Sequence, residues 1–277
     1  MNKAVITIVA DNVSDRGLTA EHGLSFPIQT GCESIVFDIG QSEAVFSNAA
    51  ILGIDMAEPQ MLVLSHGHYD HTGGVAELLR INPEMMVYYH PDATITRFSL
   101  HPGKPVKEIS MPSACRKALL HHPSELRHPV TGACRIASGI GITGEIPRLT
   151  PFEDTGGPFF MDSAGNEPDR IRDDQALWLE TPSGLVIVLG CCHSGLVNTV
   201  EYIRKTSRIQ RIRGIAGGMH LLRASETRLS ATAEKLREWA PEFIIPCHCS
   251  GDNAIDFMRS RLGGTVRTGY AGMKITI

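Results

Sequence analysis

The apolar positions of this chain form short continuous runs in some places and a helical period in others. Residues 3–10 (KAVITIVA), 24–30 (LSFPIQT) and 34–40 (SIVFDIG) are β-branched and apolar, which predicts three strands, the last two parted by a turn at Gly31. Helical spacing predicts a helix over 43–54. A short apolar run at 60–65 (QMLVLS) predicts a buried strand, followed by a helix over 73–81 and a strand at MMVYYH, 85–90. Further on, 133–148 is a Gly-rich strand region and 149–174 is irregular. ALWLET (176–181) and LVIVLGCC (185–192) pair as a hairpin around PSG. Helices are predicted at 195–206, at 225–240 with Ser225 as its cap, and at 253–262. Between them lie IRGIAGGMHL (212–221), a strand and turn, and FIIPCHCSG (243–251), a strand ending in a loop. A final strand pair is predicted over 265–277.

Two β-rich halves, each with strands feeding helices, predict an α/β (α+β) four-layer αββα sandwich. The whole chain, 1–277, reads as one domain. Residues 92–130 interrupt the rhythm. They are rich in Pro, His and polar residues, hold at most one short helix (Ser113 to Leu120), and read as an insertion or lid over a site. His101, His121, His122 and His128 in this segment are expected to be solvated loop residues.

Composition narrows the functional classes. The chain is 42% hydrophobic and 20% charged with a formal net charge of -4, an ordinary globular balance with no basic stripe for nucleic acid. No run approaches the roughly 20 apolar residues of a membrane span. The N-terminal MNKAVITIVADN lacks the apolar region and cleavage site of a signal peptide, so the expected location is the cytoplasm. Seven cysteines, with Cys191 and Cys192 adjacent, make a poor disulfide framework and fit reduced thiols better.

The chemistry concentrates in LSHGHYDHTGG (64–74), where His66, His68, Asp70 and His71 follow an apolar strand. Other histidines also follow apolar runs: His193 after LVIVLG, His220 after RIRGIAGG, His248 after EFIIP. Loops at strand ends on one side of a sheet share a crevice, so these side chains can converge. Imidazole and carboxylate donors suit zinc, iron or manganese. His66 and His68, two apart, can grip one ion, and Asp70 and His71 face a second.

SHGHYDHTGG resembles the H-x-H-x-D-H signature of the metallo-β-lactamase superfamily. FDIGQS, VLGCCHSG and PCHCSG extend the likeness over most of the chain. EHGLSF, TGEIPR and GGMHL add a resemblance to a narrower branch of metal-dependent hydrolases, typified by the archaeal dihydropterin ribofuranosylaminobenzene 5'-phosphate synthase. The resemblance implies the metallo-β-lactamase fold and one or two divalent ions, zinc first, with manganese or iron as alternatives. His66, His68 and His193 would hold one ion; Asp70, His71 and His248 would hold the other. It also implies catalytic roles for Asp70 and His220, and Asp38 orienting a ligand histidine through its other ring nitrogen. Where the superfamily has Gly-Asp this chain has Gly190-Cys191, so Cys191 is either a thiolate ligand or a packing thiol. His220 touches substrate or fills the core. Cys247 and Cys249, alternating with His248 along a strand, should face away. Gly217 and Gly218 would admit a phosphate to the backbone, and His22 and Glu21 are expected to approach the crevice. The expected activity is hydrolysis of a phosphorylated or ester-type small molecule by metal-activated water. The alternatives are a transferase joining a pterin methyl diphosphate to an aminobenzene ribosyl phosphate, and a non-hydrolytic di-iron redox or metal-binding protein. The expected partner is a small molecule, with neither nucleic acid nor membrane.

Overall fold

The computed structural model describes residues 4–277, so Lys3, the first residue of the predicted 3–10 strand, lies outside the described residues. Two sheets stack face to face. The first has seven strands, in the spatial order Lys274–Thr276, Ala4–Thr7, Phe26–Thr30, Ser34–Phe37, Met61–Val63, Met86–Tyr89 and Arg127–Pro129. The second has six, in the order Phe243–Cys247, Ile212–Gly218, Gly184–Leu189, Ala176–Thr181, Ile140–Ile142 and Cys134–Ala137. Between the sheets lies an apolar core that includes Ile6, Phe26, Phe37, Val63, Leu177, Val186, Val188 and Ile245.

Each sheet is covered on its other side by helices. Ala44–Ile51, Val75–Ile81 and Ser113–His121 cover the first, around Val36, Leu62, Leu78 and Leu119. Leu196–Ser207, Glu226–Trp239 and Asp252–Leu262 cover the second, around Ile187, Ile215, Leu236 and Met258. The result is the αββα sandwich the pattern implied. Central strands are apolar at every position because both faces are buried. In Gly184–Leu189, Val186 and Val188 point between the sheets while Leu185, Ile187 and Leu189 meet the helices.

Most predicted elements appear one to three residues shorter, and Ser225 does cap its helix, accepting from Arg228 N at 3.2 Å. The C-terminal strand pair does not form as predicted. Only Lys274–Thr276 is a strand, because 266–272 crosses from one sheet to the other. On the way Arg267 N donates to Ile244 O (2.9 Å) and Gly272 N to Ile8 O (2.8 Å). Within 92–130, Cys115 and Leu119 enter the outer core of the first sheet, and Arg127–Pro129 is its edge strand. Phe98–Ser99 and Lys107–Glu108 form a separate three-stranded sheet with Phe159–Phe160. No helix among the described residues is long and apolar enough to cross a membrane.

Candidate metal centre

Parallel strands in both sheets end on the same edge of the sandwich, and the predicted residues sit in the loops that leave them. Met61–Val63 runs parallel to both Ser34–Phe37 and Met86–Tyr89, and Ile212–Gly218 runs parallel to Gly184–Leu189 and Phe243–Cys247. Past Met61–Val63 the chain stays extended through His66 and His68 and then turns into the short helix Tyr69–Thr72, which carries Asp70 and His71. Gly67 permits the close approach, since a Cβ there would lie 2.1 Å from Ala93 O. Four non-glycine residues just beyond strand ends take left-handed backbone: Asp38 (φ 58°), Cys192 (60°), His220 (45°) and His248 (51°). Strain of this kind concentrates where a site dictates side-chain direction.

The donors converge. One donor atom from each of His66, His68 and His193 lies within 4.8 Å of the others, and the same holds for His22, Asp70 and His248. Asp70 Oδ2 is 3.7 Å from His71 Nε2 and 3.4 Å from His248 Nε2, and His71 Nε2 lies 3.1 Å from Cys191 Sγ. His66 Nε2 and His68 Nδ1 are 2.9 Å apart. Nε2 of His68, of His193 and of His248 is buried without a hydrogen-bond partner. An unpaired buried polar atom costs about 1–3 kcal/mol. The two triads of donors, with the orphaned Nε2 of His193 and of His248 among them and a buried thiol beside them, fit divalent cations that would satisfy them.

The far ring nitrogens are held. Asp38, fully buried, accepts from His71 Nδ1 (2.6 Å), Ser65 N (2.7 Å) and Ser65 Oγ (2.6 Å), and that Oγ also meets His66 Nδ1 at 2.9 Å. His193 Nδ1 donates to Thr155 O (2.8 Å), and His248 Nδ1 pairs with Asn12 Oδ1 (3.0 Å) while its backbone N–H donates to Asp11 Oδ1 (2.7 Å). These contacts direct each Nε2 of His71, His193 and His248 inward.

A second set of contacts ties the two histidine loops together. Asp173 Oδ2 accepts from Gly67 N, between His66 and His68, at 2.7 Å; Asp174 Oδ2 accepts from Ser194 N, beside His193, at 2.7 Å. Gln175 Nε2 donates to Leu64 O at 2.6 Å. Arg97, with no exposed surface, anchors Asp173 at 2.9 Å and Asp169 at 3.3 Å.

Electrostatics follow from this packing. Burial, reinforced by neighbouring imidazoles, holds His66 and His193 well below the usual histidine range; burial and the Arg97 charge do the same for His68. Burial also opposes the charge on His71, but the Asp38 and Asp70 carboxylates outweigh it and raise its pKa to about 9. Burial alone would raise the Asp70 carboxyl; His71, His22 and His248 hold it well below the usual range instead. The metal-free floor is thus three uncharged imidazoles, those of His66, His68 and His193, beside a charged His71 paired with Asp38 and Asp70.

Above the floor opens a cavity of about 630 Å³. The Phe159 ring stands over the imidazoles, with centroids 5.5 Å from His68, 5.3 Å from His193 and 5.9 Å from His220. His220, 4.2 Å from His193 by ring centroid, lines the wall, and Lys104, Lys107 and Arg223 stand among the lining residues. Asp70 is the one acidic side chain in that lining among the described residues.

Three expectations change. Cys249 does not face away. The strand ends at Cys247 and His248 takes φ 51°, so a 3-10 turn replaces the alternation and carries Cys249 into the cavity wall, whereas Cys247 stays between the sheets. Nor do Gly217 and Gly218 open a phosphate cradle: Cβ atoms there would strike Leu189 O at 2.1 Å and Gly190 O at 2.4 Å, so they serve close strand packing. His22 does reach the site, with Nε2 3.2 Å from Asp70 Oδ2, while Glu21 turns back to hold Gln41 N and Ser42 Oγ. Sequence reasoning missed Asn12, Arg97, Phe159 and the Asp173–Gln175 run. The paired acids before the apolar strand ALWLET were a visible signal, but their partners are distant in sequence.

Four layers with a donor-rich crevice at one edge are the architecture of metal-dependent αββα sandwich proteins. The chain belongs to the metallo-beta-lactamase superfamily, whose profile matches residues 18–197. It is 30% identical over 252 residues to the 7,8-dihydropterin-6-methyl-4-(beta-D-ribofuranosyl)-aminobenzene-5'-phosphate synthase of Methanocaldococcus jannaschii, covering 85% of this chain and 83% of that protein. A solved structure described as a metal-dependent hydrolase of the beta-lactamase superfamily superposes with a TM-score of 0.84 at 28% identity, over 98% of both chains. A diphosphatase of the PhnP family shares the fold at 13% identity and a TM-score of 0.52, over 99% of this chain and 97% of that one.

Proposed function

We propose that this chain is a metal-dependent enzyme that cleaves a phosphorylated small molecule with water as the attacking group. The observation that carries the reading is the convergence of donor atoms from His66, His68 and His193 within 4.8 Å of one another, and likewise of His22, Asp70 and His248, with Nε2 of His193 and of His248 buried and free of hydrogen bonds. His66, His68 and His193 would hold one divalent ion, and Asp70, His71 and His248 a second, with His22 and Cys191 within reach. Nitrogen, oxygen and sulfur donors together favour zinc, with iron or manganese next. Bound there, such an ion supplies charge stabilisation to phosphoryl oxygens and acidifies water.

The residues of the chain do the rest. Lys104, Lys107 and Arg223 at the rim attract and orient an anionic group, and Phe159 excludes water from one side of the imidazoles. Asp70 positions the attacking water. His220, whose Nδ1 is unpartnered, delivers a proton to the departing oxygen. The ester analogue of the same step uses the same groups.

A transferase reading is favoured by the archaeal relative. In it the aminobenzene nitrogen replaces water as the nucleophile at the pterin methylene, losing a proton as the methylene C–O bond breaks and diphosphate leaves. The test is turnover by metal-reconstituted protein of phosphomonoesters, phosphodiesters and diphosphates, set against a pterin methyl diphosphate plus an aminobenzene ribosyl phosphate. Hydrolysis of any of the first group, read as released phosphate or, for a diester, as released alcohol, supports the hydrolase, and a joined product from the second supports the transferase. Metal analysis of protein purified without added metal completes it, since zinc or manganese removes the di-iron alternative.

A further inference from the structure

Cys249 is a residue that the superfamily resemblance did not point to. Its sulfur shares a space with Cys191 Sγ and a His248 ring nitrogen, all three donor atoms within 4.8 Å of one another. The neighbourhood is built for it: a Cβ on Gly218 would lie 2.7 Å from Cys249 Sγ, so the bare backbone there leaves room for the thiol. The left-handed turn at His248 aims it, and the Nε2 of His248 is buried with no hydrogen bond, 3.4 Å from the Asp70 carboxylate. Cys191 also lies within the same reach of His66 with His71, and of His193 with His220, which puts its sulfur in the middle of the imidazoles. By contrast Cys247, one turn away, packs between the sheets.

We propose that Cys249 is a metal-binding residue which, with Cys191 and His248, gives the centre a two-sulfur, one-nitrogen face selective for a thiophilic cation such as zinc over oxygen-preferring magnesium or manganese. This rests on the metal-dependent reading above. The reason is ligand softness: thiolates favour zinc and ferrous iron, whereas magnesium and manganese are held by carboxylate, carbonyl and water oxygens. A centre of imidazoles and Asp70 alone would discriminate far less.

The test is cobalt substitution of chelator-stripped, fully reduced protein, read by absorption. Wild-type protein should show visible ligand-field bands together with intense near-ultraviolet thiolate-to-cobalt charge transfer. Cys249→Ser should keep the ligand-field bands, lose about half of the charge-transfer intensity, and narrow the preference for zinc over manganese at least tenfold in competition. Cys32→Ser, at an exposed thiol far from the site, should leave the spectrum unchanged. Charge-transfer intensity unchanged in Cys249→Ser overturns the proposal, as do wild-type ligand-field bands without any charge transfer; the metal-dependent reading survives both. If wild-type protein takes up no cobalt or zinc at all, it is the metal-dependent reading that falls, and this proposal with it.

Discussion

Replacing Asp38 by Asn tests how the candidate centre is oriented. Asp38 sits at φ 58°, a conformation Asn tolerates, so the backbone need not move. What changes is the hydrogen bonding. The carboxylate accepts from Ser65 N, Ser65 Oγ and His71 Nδ1 at 2.6–2.7 Å. An amide nitrogen placed where Oδ2 now lies would face His71 Nδ1 as a donor. His71 would then carry its proton on Nε2, which lies 3.1 Å from Cys191 Sγ and 3.7 Å from Asp70, where a lone pair is needed. Metal affinity should fall roughly 10- to 100-fold, about 1.4–2.8 kcal/mol.

The metal-free protein gives an independent readout. A His71 pKa of about 9 against 6.5 unfolded corresponds to about 3 kcal/mol, and Asp38, which acts through both its charge and its hydrogen bond, raises it more than Asp70 does. A raised pKa stabilises fully below pH 6.5, and the stabilisation disappears as pH rises through about 9. Urea denaturation should therefore separate wild type and Asp38→Asn by on the order of 2 kcal/mol at pH 6, with the gap closing towards pH 9. Equal zinc affinity by chelator competition together with a pH-independent gap would refute the argument.

Three further outcomes are expected. Asp173→Asn leaves the buried Arg97 with Asp169 at 3.3 Å as its one remaining ion pair, beside its bond to Asp92 O, and weakens the anchor on Gly67, so urea stability should drop by roughly 2–4 kcal/mol and zinc content should fall with it. Arg223→Ala should raise KM for a phosphorylated substrate about tenfold with kcat nearly constant, since the rim cation contacts the anion equally in ground and transition states; a selective loss of kcat would contradict this placement. Metal-free protein should lose stability on acidification below pH 6.5, because His66, His68 and His193 stay neutral when folded and take up protons on unfolding. Each contributes up to about 1.4 kcal/mol per pH unit, so the slope in thermal or urea melts should be shallower in His193→Asn, and an identical slope would count against it.

The sequence alone determined the layer architecture, because short continuous apolar runs buried on both faces and helices with one apolar stripe have few other ways to hide that surface. It also determined which loops carry donors, since His66, His68, Asp70 and His71 are neighbours in the chain and His193, His220 and His248 each follow an apolar strand. What only the tertiary structure decided depends on backbone that leaves the regular period. The turn at His248 brings Cys249 into the cavity where alternation would have hidden it, and Gly217 and Gly218 prove to be spacing for neighbouring strands. The supports are likewise non-local: Asp173 meets Gly67 across 106 residues and Asp11 meets His248 across 237. Hydrophobic periodicity is a local property and can be read along the chain, whereas hydrogen-bond partnership is set by where the sheets place distant loops, and no single segment encodes it.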